Sequence, residues 1–113
     1  MEYRFEASEQ KSTGVVVLSG RLDLMAAAEL KAEIQRLVAE GWSQLVVDLR
    51  DVPYADSSGL GALVGSLKVA RSAGGDFRIA CPAEQIRFIL KVSTLDRVLT
   101  PYFTVEEALA EYN

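Results

Sequence analysis

The chain has 113 residues, of which 50% are apolar and 25% charged, with a net charge of −4 and no histidine. Those values fit a single domain spanning residues 1–113 with a core of its own, and they argue against a nucleic-acid binder, which needs a basic face. The single cysteine, Cys81, lies in the apolar run Phe77–Cys81; it closes no internal disulfide, reads as a small buried side chain and suits a reducing cytoplasm.

The first residues, Met1 to Gly14, carry Glu2, Arg4, Glu6, Glu9 and Lys11 and show no apolar signal-peptide core. Along the chain, Lys and Arg are scattered singly and no apolar run approaches the roughly 20 residues that span a bilayer. A cytoplasmic protein without membrane or nucleic-acid contacts is therefore expected. Tyr3–Phe5 and Val15–Ser19 read as two strands joined by a polar, hairpin-type connection, Ser8–Gly14. Gly20-Arg21-Leu22-Asp23 turns the chain into a helix with Ala27, Leu30, Ile34, Leu37 and Val38 as its buried stripe, Asp23 as its N-cap and Gly41 as its stop.

Gln44–Leu49 is apolar on both faces, as a central strand covered by helices requires. Arg50–Ala55 then delivers Asp56, and a second helix from about Ser58 to Ser72 buries Leu60, Leu63, Val64 and Leu67 before Gly74-Gly75 ends it. Phe77–Cys81 is a further strand broken by Pro82, and Ile86, Phe88, Ile89, Leu90 and Val92 belong to a third helix. Thr104-Val105-Glu106-Glu107 is a capping box for a last helix holding Ala108, Leu109 and Tyr112.

The order β-β-α-β-α-β-α-α predicts an α/β fold: a small mixed sheet of four to five strands with about four helices, most of them crossovers. Right-handed crossovers make the central strands parallel. Asp23, Asp56-Ser57-Ser58 and Ala80-Cys81-Pro82 should then gather at the C-terminal edge of the sheet, where such folds place their sites.

Asp56-Ser57-Ser58-Gly59-Leu60 stands out. Two accounts of its hydroxyls are open: they cap the helix, or they face an oxygen-rich group such as a phosphoryl at the helix N-terminus. Gly59, Gly61 and Gly65 each cost a helix about 1 kcal/mol relative to Ala, which calls for either close packing or a bare surface for a second protein. Asp23 and Asp56 serve as caps, or together form an acidic rim beside Ser57 that an added phosphoryl group would make strongly negative.

Enzyme chemistry finds no support in these residues. Without histidine no Ser-His relay exists, the Gly-x-Ser-x-Gly elbow is missing, and neither Lys68 nor Lys91 has reason to approach the serines. No metal site, calcium-loop spacing or nucleotide phosphate loop is visible, so no metal and no cofactor are expected.

Gly20-Arg21-Leu22-Asp23, the strand to Leu49, Asp56-Ser57-Ser58-Gly59-Leu60-Gly61 and Gly74-Gly75 before a strand resemble, over essentially the whole chain, a STAS domain. Within that group the resemblance is to the bacterial anti-sigma factor antagonists. It implies phosphorylation at Ser57, with Ser58 supporting the helix start, and a partner-binding surface of Asp23, Asp56, Ser57, Ser58, Gly59 and Gly61. It also implies partner switching: the unmodified chain binds an anti-sigma factor that is a serine kinase, phosphorylation releases it, and a serine phosphatase reverses the change. A monomer or weak dimer is expected. The family also holds sensors, scaffolds and transporter subunits that act by protein or weak ligand binding, which is the alternative role. Ser93-Thr94-Leu95 departs from the Ser-Gly-Leu of many relatives and predicts a different cap for the third helix.

Overall fold

The computed structural model describes residues 1–110 and Tyr112, with Glu111 and Asn113 outside the described residues. Strand β1 (Glu2–Ala7) and strand β2 (Thr13–Ser19) pair antiparallel across the polar connection, both longer than the apolar runs that mark them because ladder pairing extends into polar ends. Helix α1 (Leu24–Ala39) follows, then β3 (Gln44–Asp51), α2 (Ser57–Ser72), β4 (Asp76–Ala80), α3 (Glu84–Val92), a 3-10 turn (Leu95–Arg97), β5 (Pro101–Tyr102) and α4 (Val105–Ala110). The sheet order is β1-β2-β3-β4-β5, and every neighbouring pair after the first is parallel.

Because the crossovers β2-α1-β3 and β3-α2-β4 step in the same direction with the same hand, α1 and α2 share one face of the sheet. Leu45, Val47 and Leu49 of β3 point into that main core, where they meet Leu30, Ile34 and Leu37 of α1 and Leu63 and Leu67 of α2. Ile86 and Leu90 of α3 join the same core. Val46 points the opposite way, toward Val15, Ala80, Ala108 and Tyr112, so α4 covers the second face. The Tyr112 hydroxyl donates to the Leu45 carbonyl at 2.7 Å. A strand apolar on both faces is thus explained by helices on both sides.

Most caps fall where the residues predict them. Asp23 Oδ1 accepts from the Ala26 amide at 3.1 Å, Gly41 takes the left-handed φ of +103° just past α1, and Thr104 Oγ1 accepts from the Glu107 amide at 3.0 Å. Some element bounds differ from expectation. Helix α2 begins at Ser57, one residue early, because Asp56 is the cap. Strand β4 stops at Ala80, where its pairing to Asp48 ends. Cys81 therefore lies in the turn, with φ +56° and half-buried, rather than inside an apolar strand. Strand β5 is the fifth member that the expected four to five strands allowed, and it is too short to show any alternation. Thr94 takes the left-handed backbone that favours glycine, at φ 59°, directly after the Ser93 cap of the third helix.

Candidate functional site

The sheet ends its β2–β3 ladder with Ser19 opposite Asp51, but the two chains do not separate there. Gly20 N–H donates to Asp51 O at 3.0 Å, Leu22 N–H to Tyr54 O at 2.9 Å and Asp56 N–H to Leu22 O at 3.3 Å, with Leu22 and Ala55 forming a parallel bridge. Loop 20–23 and loop 52–56 are thus zipped together, and the residues that follow them, Asp23 and Asp56, open α1 and α2 side by side.

At the start of α2 the capping bond comes from the aspartate: Asp56 Oδ1 accepts from the Gly59 amide at 2.9 Å. Leu60 N–H donates to Asp56 O at 3.0 Å, the first bond of the helix proper, so the amides of Ser57 and Ser58 lie ahead of it. Ser57 is exposed and Ser58 half-buried. Of the two accounts of the hydroxyls, capping is therefore met by Asp56, which leaves the Ser57 side chain at the positive end of a sixteen-residue helix without a cap to make.

The glycines divide. A Cβ on Gly59 would lie 2.3 Å from the Leu22 carbonyl oxygen, so only glycine lets the two zipped loops approach this closely. Gly59 is buried, which makes it a positioning residue of the loop and removes it from any open surface. Gly61 is exposed, and a Cβ there would meet nothing within 4 Å. On Gly65 a Cβ would make ordinary contact with the Lys31 side chain at 3.6 Å. Close packing accounts for Gly59, whereas the fold leaves room for a larger residue at Gly61.

Around Ser57 the surface is of mixed character. Asp23 is exposed and Asp56 half-buried, but Arg21 stands on the same loop with its guanidinium 4.4 Å from the centre of the Tyr54 ring. The rim is therefore not purely acidic. Leu24 and Met25, the first two residues of α1, are 70% and 77% exposed beside this rim. Nothing in the helical periodicity separates them from core residues, although their place ahead of the buried stripe at Ala26, Ala27 and Leu30 is the signal that could have found them.

Ala80-Cys81-Pro82 does reach the same edge of the sheet, but its contacts point toward β5 and β3: Cys81 N–H donates to Tyr102 O at 2.9 Å, and Cys81 Sγ lies 3.7 Å from Arg50 Nη2. That sulfur contact, with Asp48 and Asp51 nearby, pushes the Arg50 guanidinium above its already high ordinary value and leaves a fixed cation there. Among the described residues, no group of three or more His, Cys, Asp or Glu side chains could hold a metal ion, and no helix is long and apolar enough to cross a membrane.

A Thermotoga neapolitana protein is 38% identical to this chain over 72 residues, which is 64% of each, so the match spans just under two thirds of that relative's length. The anti-sigma F factor antagonist of Paenibacillus polymyxa is 28% identical over 115 residues and covers 98% of this chain and 96% of its own. The crystal structure of an anti-sigma factor antagonist from Mycobacterium paratuberculosis shares the fold with a TM-score of 0.83 at 27% identity, over 96% of this chain and 91% of that one. Residues 4–108 match the family model described as the STAS domain, and the chain, with its mixed five-stranded sheet, belongs to the STAS domain family.

Proposed function

We propose that this chain is an anti-sigma factor antagonist that works by partner switching, with Ser57 as the phosphoryl acceptor. One observation carries the reading: Ser57 is exposed at the first position of α2 while Asp56 makes the capping bond, so a phosphoryl group can be added without dismantling the helix start. The unmodified surface has the makings of an interface, with the exposed apolar pair Leu24 and Met25 at the start of α1, the bare backbone at Gly61 on α2 and the polar rim of Asp23, Asp56 and Ser58.

Phosphorylation brings about −1.5 to −2 charges, more than the single positive charge of Arg21 offsets, into the middle of that patch. Against a desolvated or acidic partner surface such a charge costs several kcal/mol. The chain acts as substrate and binding module, with the catalytic machinery in a partner: an anti-sigma factor that is also an ATP-dependent serine kinase. A serine phosphatase would restore the binding form. A cytoplasmic setting follows from such partners.

Intact-mass measurement on protein from its native cells, followed by site mapping, tests the modification, which is expected at Ser57. Binding tests the switch. With the purified anti-sigma factor, Ser57→Ala should bind about as tightly as the unmodified chain, and Ser57→Asp at least about tenfold more weakly. Equal affinities for the two variants would refute it.

A further inference from the structure

We propose that Gln85 of α3 is a positioning residue for Ser57, acting through the backbone of Ala55; the proposal rests on Ser57 being the phosphoryl acceptor. The side-chain amide of Gln85 pairs with both backbone groups of one residue: Ala55 N–H donates to Gln85 Oε1 at 3.1 Å, and Gln85 Nε2 donates to Ala55 O at 3.1 Å. A primary amide is chemically a peptide group, so Gln85 pairs with Ala55 as a neighbouring strand would.

The topology shows why a substitute strand is needed there. On its β2 side the loop leaving β3 stays paired, through Ser19 with Asp51 and then Leu22 with Ala55. On its β4 side pairing ends at Asp48 with Ala80, because β4 stops and the chain turns at Cys81. Ala55 is fully buried, at 0% exposure, so its N–H and C=O on that side would be left unpaired away from water. Gln85, the second residue of α3, supplies both partners.

Ala55 is thereby held from two sides, by the Leu22 loop and by Gln85, and it lies two residues before Ser57. The intervening Asp56 is itself fixed, by its N–H to Leu22 O and its carboxylate to the Gly59 amide. A rotation at Ala55 would swing the acceptor hydroxyl, and displacement of a reacting group by about 1 Å can cost about a hundredfold in rate. The bonds require a group that both donates and accepts. Leucine offers neither, and a glutamate carboxylate accepts from the Ala55 amide but faces its carbonyl with a second acceptor.

The test compares Gln85→Leu and Gln85→Glu with Ile89→Val, a change on the same helix that trims a side chain packed against the main core and leaves the Gln85 amide in place. Amide hydrogen exchange is read at Ala55 and at core amides such as Val47, and phosphorylation of Ser57 is followed with the purified anti-sigma factor kinase and Mg-ATP. Both Gln85 variants should speed exchange at Ala55 about tenfold beyond any change at Val47, and lower kcat/KM for phosphorylation about tenfold, mainly in kcat. The Ile89→Val control should move Ala55 and Val47 together. The proposal is overturned if Ala55 follows Val47 in the Gln85 variants, or if Ala55 loosens while phosphorylation keeps its wild-type kinetics. A wild-type chain that is never phosphorylated at Ser57 strikes the functional reading instead, and the exchange comparison alone then decides whether Gln85 holds the loop.

Discussion

The N-termini of α1 and α2 are built alike and finished differently. Both helices have sixteen residues, and both start from an aspartate in extended backbone, at φ −99° and −97°. In each, the carboxylate accepts from the amide three residues on, at 3.1 and 2.9 Å. After the cap, however, α1 continues Leu24-Met25-Ala26 and α2 continues Ser57-Ser58-Gly59. Once an aspartate satisfies the capping amide, the first helical positions need not make the capping bond, and Leu24, Met25 and Ser57 there are exposed. One end offers apolar side chains and the other a hydroxyl. The third position is different, because at both ends it turns inward: Ala26 and Gly59 are buried.

The largest expected effect breaks the comparison at that third position. In α2 the residue must pass the Leu22 carbonyl, a backbone oxygen that also accepts from the Asp56 amide and cannot give way without opening the zipped loops. Gly59→Ala should therefore destabilise the fold by about 3 kcal/mol, at the upper end for overpacking by a single methyl group. Urea unfolding measures it. Stability within about 0.5 kcal/mol of wild type would mean that the loops are not locked together at Leu22.

A smaller effect sharpens the likeness. Asp23→Ala and Asp56→Ala each remove one capping bond of nearly the same geometry, so each should cost about 1 kcal/mol. The two losses should agree within about 0.5 kcal/mol in chemical unfolding. A much larger loss for Asp56→Ala would show that its carboxylate supports more than the helix start.

Local rules make much of this fold legible in the amino-acid sequence. Asp23, Gly41 and Thr104 cap or stop helices through contacts within four residues, and the parallel strand pairs follow from the alternation of strands and helices. Ser57 as acceptor rests on the family resemblance, since the residues alone leave capping and phosphoryl binding both open. What stays hidden depends on contacts distant in sequence. Gln85 is one polar residue on an amphipathic helix, and its pairing with Ala55 thirty residues earlier leaves no periodic trace. The stacking of Arg21 on Tyr54 likewise joins two loops that only the folded sheet brings together. Cys81 falls outside its expected strand because an apolar run gives no sign of where ladder pairing ends.

The smallest effect tests the difference between the two glycines of α2, and it has two signs. Gly61 is exposed, and a methyl group added there would meet nothing within 4 Å, so Gly61→Ala should stabilise the isolated chain by about 0.5–1 kcal/mol through helix propensity and a less flexible unfolded chain. Were that the whole story, evolution toward stability alone would favour the alanine. If a partner lies flush against this bare stretch of α2, the added methyl must intrude on the contact, and affinity for the anti-sigma factor should fall severalfold while the melting temperature rises by a few degrees. Thermal unfolding and a binding titration on the same preparation separate the two. A variant that gains stability and binds as tightly as the wild type would place the partner away from Gly61, leaving Ser57 and the apolar pair of α1 to carry the interface without it.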